Sequence, residues 1–380
     1  MKLNKIAILV KTSLQFDGRV ISQIDNLTKK FNNTEFKIFL LSDAHYDIKF
    51  NNNCKVDEKN LSTRFLPKNF FFQFFKLIEF GLKSYLKIKT FNPDVLHVHD
   101  DTAMIGGLFY KTFHPNKKII YDDHELMYIR PESFSERLLF LMEKYMYKIS
   151  DLVIVANPER KRLASIIYKV KWIIVHENYF YNNYVQGKTN KNLLDLKNKI
   201  NKIQQQQNKI ILHQGQVNKD RGSETLINLS NNIPNNFNIL FIGININSYK
   251  GFLKKIHKSK HNNFIFGGFI DYKDISEVYK IIDYSLIMYK PSDLNNKYCA
   301  PNRVYLAYYF GKPIIVNEDN PVLNSFVKKS GSGEVINEYS NFVKVFENLE
   351  KSPKLLNQTY INNDTYPKNI ISIYNKFINS

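Results

Sequence analysis

Between Tyr298 and Pro313 the chain reads Tyr298-Cys-Ala-Pro301-Asn302-Arg303-Val-Tyr-Leu-Ala-Tyr-Tyr-Phe-Gly311-Lys-Pro313, a spacing suited to an anion site. Pro301 cannot lie inside a helix and biases the residue before it to extended backbone. Asn302 suits a helix N-cap, which puts Arg303 in the first helical turn. A cation there is unfavourable unless an anion stands near, and the amides of a helix N-terminus attract one. Gly311 ends the helix, and Pro313-Ile-Ile-Val316 opens a buried strand. For an enzyme of this size the expected anion is a nucleotide phosphate. A similar site follows Lys209–Leu212, in His213-Gln-Gly215-Gln-Val-Asn-Lys219-Asp-Arg221-Gly222-Ser223. Gly215 lets a ligand approach the backbone, Ser223 suits an N-cap, and Lys219 and Arg221 precede the helix. Gly243, Gly267 and Gly268, with Phe269 after them, stand at later strand ends and leave room for a nucleobase.

Three polar clusters stand in the first half. In Phe16-Asp17-Gly18-Arg19-Val20, Gly18 permits a tight turn and Arg19 opens a helix, so the segment can contact donor or acceptor. It lacks the Gly-x-Gly-x-x-Gly of a dinucleotide fingerprint. In His97-Val-His99-Asp100, strand alternation sets the two histidines on one face, where they can meet a sugar or acceptor. A metal there would need a third ligand that the motif lacks, so none is expected. In Tyr121-Asp122-Asp123-His124-Glu125, the acids raise the pKa of the imidazole between them. His124 can then donate hydrogen bonds to a sugar hydroxyl or a phosphate, with Asp123 or Glu125 as acceptor base. Alternatively, Asp122 or Asp123 caps the next helix.

These clusters follow short apolar runs: Ile6–Val10, Phe36–Leu41, Val95–Val98, Lys118–Tyr121, Leu152–Ala156 and Trp172–Val175, then Lys209–Leu212, Ile239–Gly243, Phe264–Gly267, Tyr284–Met288, Pro313–Val316 and Glu334–Ile336. Runs so short and continuous fit strands buried on both faces, in parallel sheets covered by helices. The pattern occurs twice around the polar stretch Tyr181–Asn208. It predicts two doubly wound domains, 1–185 and 186–365, with a terminal helix over 366–380 that can pack back on the first. Such sheets bind ligands outside the carboxyl ends of their strands, here in a cleft between the domains.

The 380 residues, 43% of them hydrophobic, suffice for two full cores. The net charge of +19, from 54 Lys+Arg against 35 Asp+Glu, suggests a polyanionic partner. Scattered lysines, without zinc-finger spacing, an RNA-recognition signature or a dense Arg cluster, argue against nucleic acid. Cys54 and Cys299 are far apart in sequence and lack metal-like neighbours, so a reducing cytoplasm is expected. The apolar run after Lys5 is only five residues long and Lys11 follows it, so it reads as a strand and not a signal peptide. No segment reaches the roughly 18 apolar residues that span a bilayer. Residues 69–89 are aromatic and basic. As a helix they present Phe71, Phe74, Phe75, Ile78, Leu82 and Tyr85 on one face, beside Lys76, Lys83, Lys87 and Lys89. That helix can pack on its own sheet or lie on an anionic membrane surface.

Together the clusters resemble the retaining glycosyltransferases of the GT-B fold, in particular the large family 4 of bacterial sugar transferases. The likeness runs in order from Ile6 to Val316: Asp17-Gly-Arg-Val20, His97-Val-His-Asp100, Tyr121-Asp-Asp-His-Glu125, Gly215 with Arg221-Gly222, Phe266-Gly-Gly-Phe-Ile270 with Asp283-Tyr-Ser-Leu286, and Pro301-Asn-Arg303 through Gly311-Lys-Pro313. The resemblance implies an α/β chain of two Rossmann-like domains. It implies sugar transfer with retention and without metal or cofactor, from a UDP-, GDP- or CMP-linked donor to a glycan or lipid-linked acceptor of a bacterial capsule or lipopolysaccharide. His124, Asp17, Asp123 and Glu125 would serve catalysis. Gly215, Lys219, Arg221, Asn302 and Arg303 would hold donor phosphate, and Gly243, Gly267, Gly268 and Phe269 the nucleotide. Gly18, Arg19, His97, His99 and Asp100 would meet acceptor or sugar. Two positions depart from the family: Gln216 replaces an Arg, and Leu306 replaces the Glu that binds ribose, with Tyr298 at its partner position eight residues before. Leucine cannot accept a hydroxyl hydrogen bond. A nucleotide-sugar 2-epimerase or hydrolase of the same shape, or an inactive transferase-like partner, remains the alternative.

Overall fold

The computed structural model describes residues 3–11, 14, 17–41, 50–67, 70–126, 133–179, 191–271, 274–337, 339–351 and 365–379. The chain forms two compact units, Met1–Glu177 with Asp364–Ser380, and Asn178–Asn363. The change of unit precedes the polar stretch because Asn178 donates to the Ala300 carbonyl at 3.1 Å and Tyr179 packs edge-on against Tyr305.

The first unit carries a parallel sheet of β1 (Lys5–Leu9), β2 (Glu35–Leu41), β3 (Cys54–Lys59), β4 (Val95–His99), β5 (Lys118–Asp123), β6 (Leu152–Val155) and β7 (Ile173–Val175), in the order β3-β2-β1-β4-β5-β6-β7. Its helices are α1 (Gly18–Lys30), α2 (Phe70–Phe91), α3 (Asp100–Phe113), α4 (Phe134–Ile149), α5 (Pro158–Tyr168) and, from the chain's end, α14 (Thr365–Asn379). The second unit holds β8 (Lys209–Gln214), β9 (Phe237–Ile242), β10 (Phe264–Gly268), β11 (Tyr284–Ile287), β12 (Ile314–Asn317) and β13 (Gly333–Ile336), in the order β10-β9-β8-β11-β12-β13. Its helices are α6 (Lys191–Gln205), α7 (Ser223–Asn231), α8 (Ile246–Leu253), α9 (Ile275–Ile281), α10 (Leu294–Lys297), α11 (Asn302–Tyr309), α12 (Pro321–Ser330) and α13 (Phe342–Lys351).

Every apolar run named above becomes a strand of one of these two sheets, so the α/β reading holds. The runs work because the central strands are buried on both faces, as at Ile6, Ala7, Ile8 and Leu9. The strand absent from the reading is β3. Among the described residues it pairs with β2 alone, at the edge of the sheet, and its Lys55, Asp57, Glu58 and Lys59 bring charge to that edge. Lys37 meets Asp57 across that pair at 3.1 Å, and such charge protects an open edge. Both sheets wind in opposite directions from an inner pair of strands, β1 with β4 and β8 with β11. Ligand crevices form outside the carboxyl ends of such a pair.

Several local expectations change. Asn302 is the first helical residue of α11 and Pro301 its cap, and Gly222, not Ser223, caps α7. Ser133 caps α4 in a capping box with Glu136, so neither Asp122 nor Asp123 starts that helix. Helix α2 buries Lys76, Phe80, Ser84 and Ile88, while Phe75 and Leu82, read on one apolar face with Phe74, Ile78 and Tyr85, are exposed. The Phe71 side chain lies outside the described residues. Lys76 tolerates burial because its ammonium donates to the Leu66 carbonyl at 2.9 Å.

Candidate functional site

Asp122, near the end of β5, is the pivot of the first unit. Arg19 donates to one carboxylate oxygen at 2.6 Å, and Gln23 to the other at 2.7 Å. The two donors are four residues apart and share one face of α1. Arg19 also donates to the His176 carbonyl, just beyond β7, at 3.1 Å. His97 and His99 each bring a ring nitrogen to 3.8 Å from Asp122, and His124 to 3.7 Å. These distances make them electrostatic neighbours, not hydrogen-bond donors. Burial alone would raise the Asp122 pKa. Arg19 and then His124 overcome that and hold the carboxyl well below its usual range. Burial would likewise lower His124, but Asp122 pushes it up to about 9. A charged His124 donates from Nε2 to Nδ1 of His99 at 3.2 Å. Burial, and then His97, keep His99 well below its ordinary pKa and therefore neutral.

His97 and His99 do share a face, with rings stacked at 4.2 Å. The third potential metal ligand, absent from their motif, stands on the next strand: ligand atoms of His97, His99 and Asp122 lie within 4.8 Å of one another. Both oxygens of Asp122 are engaged, however, and a divalent cation would meet Arg19 and the charged His124. The set suits ion pairing, not a metal.

The remaining first-unit candidates divide by depth. Asp123 is fully interior and accepts a short hydrogen bond from Tyr147. Burial lifts its pKa to about 7, against the pull of Tyr147 and Arg160. Behind it Tyr147 stacks on Tyr168 at 3.9 Å, and Tyr168 donates to the buried Glu143. This corrects the expectation of Asp123 as an accessible acceptor base. Arg19 is likewise a buried counter-ion, not a surface contact for acceptor. Glu125 is exposed, and Asp17 is the side-chain cap of α1, accepting from Val20 at 3.1 Å beside the buried Gly18. Asp100 opens α3 in the left-handed region at φ 67°, which costs an L-residue about 1–2 kcal/mol. Burial raises its pKa well above the usual range, opposed by His124 and then assisted by Asp101, Asp123 and Glu125.

In the second unit the expected cations meet. Arg221 ends a 3-10 turn, Lys219–Arg221, that the Asn218 side chain caps. Its guanidinium lies 4.0 Å from the ring centre of Tyr289, and that of Arg303 lies 4.8 Å from the same ring. Arg303 also donates to the Gln214 carbonyl. A side-chain carbon on Gly215 would stand 3.3 Å from the Arg303 guanidinium, and one on Gly243 would stand 3.3 Å from the Gly215 amide. Both glycines have positive φ, 110° and 70°. The Gly215 amide bonds the Ile242 carbonyl at 2.8 Å, and the Gly243 amide bonds Gly268 at 2.7 Å. The exits of β8, β9 and β10 thus form a strip of bare backbone with arginine at one end. Gly267 and Gly268 are half-buried along it, Phe269 beyond them is exposed, Lys219 is exposed, and Asn302 is half-buried beside Arg303.

Sequence reasoning missed Tyr289, which carries both arginines, and Asn317, which fixes it. Asn317 accepts from the Tyr289 amide at 2.8 Å and donates to its carbonyl at 2.7 Å. It also missed Asp122 as pivot, with Gln23 and His176 around it. Strand order is the signal: Tyr289 follows β11, the strand beside β8.

No protein-family model matches the chain, and no curated protein matches it. Solved structures do. Sucrose-phosphate synthase from Thermosynechococcus elongatus superposes with a TM-score of 0.74 at 14% identity, over 99% of each chain. Anabaena HepE in complex with UDP-glucose gives 0.68 at 15%, over 98% of this chain and 99% of that one. A glycosyltransferase from Rickettsia africae gives 0.65 at 15%, over 100% and 99%.

The fold is GT-B. The acid that the resemblance expects on the last helix before β12 of this GT-B chain is Leu306, which is 0% exposed and packed in the core with Val304 and Ala307. Ribose contact from that side chain is excluded by burial as well as by chemistry.

The buried ionisable groups set the pH range of the fold. His124 and Asp123 titrate higher folded, at about 9 and about 7, than their ordinary 6.5 and 3.8. Their stabilisation is complete below the ordinary values and disappears as pH rises through the folded ones. Burial pushes His176 and His213 down to about 3, so their contribution holds above 6.5 and is lost as pH falls toward 3. Thermal stability is therefore expected to peak near the ordinary histidine value of 6.5 and to decline from there to about pH 9. His124→Gln should flatten that alkaline decline in calorimetric scans; an unchanged slope would remove His124 from the account.

Proposed function

We propose that the chain is a glycosyltransferase moving a sugar from a nucleotide-activated donor to a glycan or lipid-linked acceptor, with retention and without a metal. The observation that carries this reading is the meeting of Arg221 and Arg303 on Tyr289 beside the bare strip at Gly215 and Gly243. The departing nucleotide gains negative charge on its phosphate, and preorganised cations there stabilise the transition state. Anabaena HepE, with the same fold, has been solved with UDP, UDP-glucose and glucose, which favours a UDP-sugar as first choice. His124, charged and 15% exposed at its side chain, is the group offered to the transferred sugar. Asp17 and Glu125 are the acids left for the acceptor proton, since Asp123 is interior. A melting panel with UDP, GDP, CMP and ADP tests the reading, because a ligand of the native state raises the midpoint. UDP is expected to give the largest rise; no shift with any nucleotide would retire a nucleotide-sugar donor. The placement of Leu306 in the core favours one second reading, an altered use of donor. NMR of enzyme with donor alone, showing consumption without acceptor, would identify a hydrolase or epimerase.

The acceptor reading includes a cytoplasmic membrane face and a role in bacterial surface polysaccharide. No helix among the described residues is long and apolar enough to cross a membrane. On α4, Phe134, Leu138, Leu141 and Tyr145 are all exposed at helical spacing, as are Phe75, Leu82 and Leu86 on α2. Exposed Lys87, Lys89, Arg137 and Lys148 accompany them, which suits anionic headgroups. Cosedimentation with phosphatidylglycerol vesicles at low salt is expected, with loss in the double variant Leu138→Glu/Leu141→Glu. Equal binding to neutral vesicles, or none to either, would dismiss it.

A further inference from the structure

The last helix of the chain reaches the histidine cluster through one buried hydrogen bond. Tyr374 of α14 and His97 of β4 are both fully buried, and the Tyr374 hydroxyl lies 2.7 Å from Nδ1 of His97. The other ring nitrogen, Nε2, is buried with no hydrogen-bond partner and lies 3.8 Å from Asp122. Two tautomers of the neutral ring are possible, and the surroundings choose between them. If Nδ1 carried the hydrogen, the Tyr374 hydroxyl hydrogen would need another buried acceptor, and the Nε2 lone pair would face a carboxylate. If Tyr374 donates to Nδ1, the hydroxyl is satisfied and Nε2–H faces the negative charge. An unmade buried hydrogen bond costs about 1–3 kcal/mol, so the second tautomer prevails.

We propose that Tyr374 is a positioning residue: by donating to Nδ1 of His97 it fixes Nε2–H toward Asp122, and so holds the Asp122–His124 pair as the reaction needs it. The geometry of α14 supports this. Lys118, at the start of β5, donates to the Phe377 carbonyl at 3.1 Å and lies over the Phe377 ring at 4.9 Å. Tyr374 itself packs against Phe31, just beyond α1, with ring centres 6.2 Å apart. The helix is therefore tied to the strand that carries Asp122 and to the helix that carries Arg19 and Gln23. The groups facing the cluster from these elements are Arg19 and Gln23 from α1, His97 and His99 from β4, Asp122 and His124 from β5 and its exit, His176 beyond β7, and Asp100 at the start of α3. Of these, His97 is the residue that Tyr374 hydrogen-bonds, and its ring lies 5.8 Å from that of Tyr374.

The only step that rests on the transfer reading is the kinetic one. Nitrogen-15 NMR of the full chain, labelled at histidine and assigned with His97→Gln, reports which ring nitrogen is protonated. His97 is expected with hydrogen on Nε2 alone in the unaltered protein. Hydrogen on Nδ1 there overturns the proposal without any variant being needed. In Tyr374→Phe the single tautomer should give way to a mixture, and kcat should fall about five- to tenfold with donor KM unchanged, the loss of one hydrogen bond. Phe377→Leu, which loosens the same helix, should alter neither the tautomer nor kcat. A Tyr374→Phe protein that keeps one tautomer, or that loses it at full kcat, also overturns the proposal. An unaltered protein without transfer activity counts against the transfer reading alone, because the tautomer decides the role of Tyr374 in either case.

Discussion

Arg303→Ala is expected to lower kcat/KM for the donor tenfold to a hundredfold, and Arg221→Ala by a comparable factor. Each removes a charged hydrogen-bond donor worth about 1.5–3 kcal/mol, which converts to about that range of rate. The two effects should not add, because both guanidiniums lie against Tyr289 and losing one frees the other to move. Arg303→Lys should recover only part of the loss. A lysine ammonium cannot stack flat on the ring while also donating in the plane to the Gln214 carbonyl. Tyr289→Leu offers a different comparison: it keeps both charges and removes what orders them, so nucleotide affinity should fall less than in either alanine variant. Calorimetric titration with UDP, beside initial rates, separates lost binding from lost turnover. Unaltered turnover in both alanine variants would leave the phosphate reading without support.

How far this site was legible follows from what each residue answers to. Pro301, Gly311 and Pro313 announce the turn into and out of α11 by their own backbone restrictions, so the helix and its arginine were readable. Gly215 and Gly243 were readable for the same reason, since their positive φ belongs to glycine. Tyr289 was not. A tyrosine after an apolar run has no local signature, and its role exists only because β11 lies beside β8 in the sheet. Asp122 was misjudged through the opposite error: a local habit, capping, was weighed for a residue whose partners are about a hundred positions away. Strand β3 escaped because an edge strand buries little, and hydrophobic patterning is blind to a segment held by one neighbour and its charges. The apolar face read for α2 divides between packed Phe74 and Tyr85 and exposed Phe75 and Leu82, while Lys76 and Ser84 turn inward, in a helix whose aromatic residues are too numerous to mark a single side. Fold class survives such errors because it depends on many runs at once, whereas a site depends on single side chains.

Asp122→Ala is expected to be the most damaging single change to the first unit. The alanine leaves Arg19 and the charged His124 facing each other in an interior without their shared counter-charge, and leaves the Gln23 amide unpaired. Breaking a buried pair from one side costs about 3–5 kcal/mol, which for a domain of this size lowers the melting temperature by roughly 10 °C. His124 should respond as well: without Asp122 its pKa, now about 9, should fall to or below the ordinary 6.5, because burial opposes the charge. The double variant Arg19→Met/Asp122→Leu removes both main charges together and should regain most of the stability, since well-packed apolar pairs often match a buried ion pair. It should regain none of the His124 titration. That separation of recovered melting from unrecovered titration is the decisive measurement. If Asp122→Ala melts within two degrees of the parent, about the effect of half a kcal/mol, the carboxylate does not organise the cluster. If the double variant also restores the high pKa of His124, some other acid holds that proton, and Asp100 at the start of α3 would be the first to test.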